Sequence, residues 1–139
     1  MFLLYINIGM NMIQTLSAQV NNFLSAEQYN DWLFALGESF VITDNIRRRE
    51  LYVRGCENNL WMQVELFENS VKLHADSDSQ MTLGIVHILQ KILNDSVPDD
   101  VKSLTLYDIH EIIAPLSSVR KKGTQHILNY IKQCVDNQQ

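Results

Sequence analysis

Cysteine is scarce in this chain: Cys56 and Cys134 are the two thiols among 139 residues. Two cysteines cannot build the disulfide framework of a small secreted scaffold. They also fall short of the four thiolates that an iron–sulfur cluster normally takes from one protein. The sequence is therefore read as cytoplasmic, with each cysteine a free thiol. Glycine (5) and proline (2) are too few for a collagen-like or low-complexity chain. Cations are outnumbered, 11 Lys plus Arg against 16 Asp plus Glu. That balance argues against duplex nucleic acid, whose binding rests on Lys and Arg displacing counterions, and against a polybasic membrane surface. The apolar run at Met1–Ile8 is far shorter than the roughly 20 residues that cross a bilayer, and it lacks the basic flank and cleavage site of a secretory signal. Residues 1–15 are expected to be a poorly ordered N-terminal extension, with Met10 and Met12 as candidate starts, ahead of a single domain over 16–139.

What is present is a large apolar fraction, 46%, enough for one compact core. Ser25 with Gln28 forms a capping box, with Leu24 placed to staple onto Tyr29. Tyr29, Leu33, Leu36 and Phe40 then recur near helical spacing, and Gly37 reads as an end signal. The run Arg47-Arg48-Arg49 reads as a solvated loop, or as a grip for a phosphate or an acidic partner. Leu51–Arg54 is predicted as a short strand ending at Gly55-Cys56. Leu60 to Phe67 alternates with period two, Glu68-Asn69 is a hairpin turn, and Val71, Leu73 and Ala75 continue the alternation. Three antiparallel strands are thus expected. Helical spacing returns at Met81, Ile85, Ile88, Leu89 and Ile92 after a second capping box, Ser77 with Gln80. Pro98 suits the first turn of a short helix, and another short helix is expected at Tyr107–Ile113. Ser117 is placed to cap a last helix that buries Ile127, Ile131, Cys134 and Val135. Helix, three strands, then helices packed on one face make an α+β domain.

Among candidate chemical groups, Cys56 stands apart because it follows Gly55 at a loop tip outside any apolar stripe. Position alone leaves it either a reactive thiol or an inert one. Cys134 falls on the buried stripe of the last helix. His74, His87, His110 and His126 lack metal-ligand spacing, and no phosphate-binding glycine loop or nucleophile elbow is present. His74 and Asp76 share a strand face and form a conceivable partner pair for a cysteine nucleophile.

Four stretches in order resemble the SufE family of sulfur acceptors, which includes the CsdE branch. They are Tyr29-Asn-Asp-Trp-Leu-Phe-Ala-Leu-Gly37, Val53-Arg-Gly-Cys56-Glu-Asn-Asn-Leu-Trp61, Ala75-Asp-Ser-Asp78 with Gly84 following, and Leu116-Ser-Ser-Val-Arg120-Lys-Lys-Gly123. Leu83 stands where the family often has Lys. The resemblance implies a SufE/IscU-like fold and a protein that takes persulfide sulfur from a PLP-dependent cysteine desulfurase, stimulates it, and hands the sulfur to iron–sulfur cluster assembly or another sulfur pathway. It implies Cys56 as the acceptor nucleophile and Asp76, Arg120 and Glu57 as partner-binding residues, in a monomer or homodimer with no cofactor, metal or nucleic acid of its own. The alternatives are an IscU-like cluster scaffold, a thiol enzyme using His74, and an interaction domain with an inert cysteine.

Overall fold

The computed structural model describes the backbone from Phe2 onward and side chains from residue 11 onward. Helix α1 (Phe2–Asn21) is followed by α2 (Ala26–Glu38), a 3-10 turn (Arg49–Leu51), and strands β1 (Leu60–Phe67) and β2 (Ser70–Ser77). Helices α3 (Gln80–Leu93), α4 (Pro98–Ser103), α5 (His110–Ile113) and α6 (Ser118–Asn137) complete the chain. The expected extension over 1–15 lies partly outside the described side chains; its backbone is helical from Phe2, so α1 runs unbroken through the anticipated boundary at residue 16.

The hairpin follows from its alternation and its turn. Glu68 and Asn69 both take positive φ (49° and 62°), the two-residue geometry whose twist matches that of the strands. Register then pairs Met62 with Ala75 and Val64 with Leu73 on the inner face, all buried. Helices α3 and α6 cover that face with Ile85, Ile88, Leu89 and Ile92 from one side and Ile127, Leu128, Ile131 and Val135 from the other. Each such side chain contributes about 1.5–3 kcal/mol on burial.

The third strand is reduced to a single bridge, Tyr52 to Trp61, and the sheet has two strands. The chain reaches β1 from a 3-10 turn and leaves it at Gly55, so one ladder step, Val53 N–H to the Leu60 carbonyl at 2.8 Å, is all that fits. Further along the same edge the Gln138 side chain does what backbone would have done. Its amide donates to the Val64 carbonyl (2.6 Å) and its oxygen accepts from Leu66 N–H (3.3 Å). The far edge of β2 is closed by Ser96 and Asp95, which bond the Val71 backbone. Both edges are thus occupied rather than open for pairing.

Three local expectations are corrected. Leu24 is 89% exposed and does not staple; Phe23 instead lays its ring edge-on against Tyr29 at 6.3 Å. The cap of α3 is Ser79, whose hydroxyl accepts from Thr82 N–H, because Ser77 is still in β2. Gly37 lies within α2 rather than ending it. A Cβ there would meet the Gln80 carbonyl at 2.0 Å, and one on Gly84 would meet the Leu33 carbonyl at 2.2 Å. These two glycines let α2 and α3 touch backbone to backbone. Ser117 caps α6 and Pro98 opens α4 as expected.

Candidate functional site

Residues 54–59 form a loop whose two ends are held separately. At the entrance, Gly55 takes φ 88°, a conformation that side chains beyond glycine resist. The His126 ring of α6 lies against it, so close that a Cβ on Gly55 would sit 3.0 Å from the imidazole. His126 Nε2–H donates to the Arg54 carbonyl at 2.5 Å; a carbonyl only accepts, which fixes that nitrogen as the protonated one. At the exit, the Asn59 carbonyl accepts from Ser77 Oγ (2.6 Å) and Asp78 N–H (3.2 Å). The Asn59 amide donates to the Asp78 carboxylate (2.7 Å), and its oxygen accepts from Tyr52 Oη (2.8 Å).

Cys56 hangs between these anchors, half-buried. It lines a cleft of about 40 Å³ with Glu57, Asn58, Thr82 and Ile85 on one side and Val119, Arg120, Gly123 and Ile127 of α6 on the other. That volume exceeds the space of a single water, so the cleft accommodates one added atom on the thiol. Burial pushes the Cys56 thiol above its ordinary pKa, because a thiolate loses hydration there. At rest the group is therefore held as the thiol, while nucleophilic attack needs the thiolate. Arg120, which lines the same cleft, joins none of the ion pairs found among the described residues. Gly123 keeps the α6 wall low, since a Cβ there would have nothing within 4 Å.

Asp76 does not line this cleft. It lies opposite Trp61 on the outer face of the hairpin, where Arg47 Nε donates to it at 2.7 Å. Arg47 Nη1 reaches Asp78 at 2.9 Å, and the guanidinium lies 4.5 Å above the Trp61 ring. The Asn59 amide, then Arg47, hold the Asp78 carboxyl below its usual pKa. Asp76 thus reaches the cysteine loop indirectly, through Arg47, Asp78 and Asn59. Glu57 and Arg120 are brought to Cys56 directly.

The remaining candidates separate from the site. His74 shares hydrogen bonds with Thr43 (3.1 Å) and Glu65 (3.1 Å) and does not line the cleft, which removes the geometric basis for a Cys–His pair. Cys134 packs against the core two turns beyond Ile127 on α6, and burial raises its thiol pKa, with the Tyr130 hydrogen bond opposing. Among the described residues no three His, Cys, Asp or Glu side chains gather as a metal site. No helix among them is long and apolar enough to cross a membrane. Sequence reasoning missed His126, Asn59 and the assignment of Arg47. Asn59 lies inside the Gly-Cys-Glu-Asn-Asn stretch and was open to notice; nothing local marks His126.

The family described as "SufE: Fe-S metabolism associated domain" matches residues 14–135. The chain belongs to the SufE family. Among its relatives, the sulfur acceptor protein CsdE of Escherichia coli K12 is 26% identical over 112 residues, covering 74% of this chain and 76% of CsdE. A chloroplastic quinolinate synthase of Nicotiana tabacum is 33% identical over 70 residues, 49% of this chain but 10% of the tobacco protein. This SufE-family chain therefore spans only a small part of that relative and most of CsdE. In three dimensions it superimposes on the solution structure of a hypothetical protein from Thermus thermophilus with a TM-score of 0.75. That similarity covers 91% of this chain and 94% of the other at 12% identity, a likeness of fold. The family is described as associated with Fe–S metabolism, and CsdE is by its name a sulfur acceptor.

Proposed function

We propose that this protein carries sulfur as a persulfide on Cys56, received from a cysteine desulfurase whose turnover it stimulates, in a reducing cytoplasm. The Cys56 thiolate attacks the outer sulfur of the desulfurase's cysteine persulfide. The partner's S–S bond breaks as a new one forms, and the desulfurase cysteine departs as thiolate, taking up a proton. Cys56 then bears the extra sulfur for delivery to a cluster scaffold or another acceptor. The observation that carries this reading is the Cys56 cleft, which holds a half-buried thiol beside Arg120 and has room for one more atom.

The same cleft explains the resting state. A thiol whose pKa is raised by burial resists stray electrophiles. It becomes a nucleophile when the loop opens to the desulfurase or when Arg120 settles the negative charge. Glu57 and Arg120 flank the sulfur and contact the partner in this reading, while Asp76 acts through Arg47 to hold the loop's exit. Residues 16–139 serve as one carrier domain.

Desulfurase turnover, followed as alanine released from cysteine, should rise with added protein and stay at the basal rate with Cys56→Ser, whose circular dichroism should match the parent. Equal stimulation by Cys56→Ser would overturn the reading.

A further inference from the structure

The basic run Arg47-Arg48-Arg49 borders an open hollow beside the cysteine loop. Arg47, Arg49, Tyr52, Arg54 and Trp61 line an open depression of about 600 Å³. The chain is acidic overall, yet four of its five arginines fall within residues 47–54. Their environments differ. Arg47 is spent on Asp76 and Asp78 and lies over the Trp61 ring, and Tyr52 meets that indole edge-on at 5.7 Å while its hydroxyl bonds Asn59. These contacts make the floor of the hollow a fixed aromatic platform. Arg48 pairs with Glu50. Arg49 and Arg54 have no acidic partner among the described residues, and both are exposed over the platform.

Trp, Tyr and Arg on a rigid base are the residue types that concentrate binding energy at protein interfaces, and a guanidinium is shaped to take a carboxylate with two parallel hydrogen bonds. We propose that this hollow is the docking surface for an acidic, carboxylate-bearing segment of the sulfur donor protein. This rests on the sulfur-acceptor reading above. Arg54 is two residues from Cys56, so a segment seated here brings the donor to the mouth of the cysteine cleft. A nucleic acid fits poorly, because two unpaired cations neutralise few phosphates.

The test measures desulfurase stimulation against concentration of this protein, at low and high salt, for the parent and for Arg49→Glu/Arg54→Glu. Thermal melts verify the fold of the variant. The half-saturating concentration should rise roughly tenfold in the double reversal, and its salt dependence should flatten. The milder Arg49→Gln/Arg54→Gln pair should shift in the same direction by roughly threefold, which keeps the test decisive should the reversal misfold. An unchanged half-saturation and salt slope in a protein that still stimulates would overturn this surface alone. Absence of stimulation by the parent protein would overturn the sulfur-acceptor reading and this surface with it. A single-stranded oligonucleotide held by the parent and released by the double reversal would replace the acidic segment as occupant and overturn the proposal.

Discussion

Replacing His126 by Ala should loosen the cysteine loop without touching the thiol. The imidazole does two things: it donates one hydrogen bond to the Arg54 carbonyl and it packs on Gly55. A half-exposed hydrogen bond of this kind contributes a net ~0.5–1.5 kcal/mol. If the loop opens and closes faster than the reagent reacts, alkylation tracks the open population. Losing that energy then multiplies the Cys56 rate by roughly 2–13-fold. The pH profile carries a second signature. Burial raises the Cys56 pKa in the closed loop, so a more open loop should bring the midpoint of the alkylation profile down toward the ordinary thiol value. The assay is a quenched iodoacetamide time course with peptide mapping, repeated across pH. Cys134, on the same helix as His126 but outside the cleft, is the internal reference and should keep its rate. Equal Cys56 rates and midpoints in parent and variant would refute the view that His126 holds the loop.

Two further expectations concern the frame that carries the loop. Gly84→Ala should cost at least ~1–3 kcal/mol of stability, because the new methyl meets the Leu33 carbonyl and α2 must be displaced, whereas Gly123→Ala should gain ~0.5–1 kcal/mol by removing a helix glycine where nothing lies within 4 Å; urea denaturation of both variants reads the contrast, and equal effects would contradict it. Tyr29, whose buried hydroxyl donates to the Ile112 carbonyl at 2.9 Å, has its pKa pushed up to about 12 by desolvation. Its stabilising contribution is complete below pH ~10 and is lost as pH rises through about 12. Tyr29→Phe should therefore cost ~1–3 kcal/mol at neutral pH by orphaning the carbonyl and flatten the alkaline loss of stability; an unaltered alkaline slope would count against it.

Much of the frame was legible because its causes are local. The β1–β2 hairpin is written in strict alternation and a two-residue turn, and α3 and α6 in apolar spacing with Ser at their starts. The misreadings occur where neighbours compete for one role. Phe23 and Leu24 are both apolar, and the direction of the α1–α2 turn decides that Phe23 faces Tyr29. Ser77 and Ser79 are both capping residues, and the last step of β2 claims Ser77 for the Asn59 carbonyl. The third strand stops at one step because the chain enters it from the 3-10 turn Arg49–Leu51 and leaves it at Gly55, while Gln138, from the other end of the chain, takes the edge farther along at Val64 and Leu66. Cys56 itself was visible as a loop cysteine, and the family motif put Arg120 and Glu57 near it. The parts of the site that hold the loop were not visible. His126 acts 72 residues from Arg54, and Arg47 acts 29 residues from Asp76, so each contact exists only after α6 and the hairpin have packed.

Sulfur acceptance by Cys56 is tested most directly by intact-protein mass spectrometry and peptide mapping after incubation with a cysteine desulfurase, PLP and cysteine. The expected result is the added mass of one sulfur atom on the Cys56 peptide, removed by a reductant and absent from the Cys134 peptide. No adduct with either a Suf-type or a Csd-type desulfurase, or an adduct confined to Cys134, would contradict it.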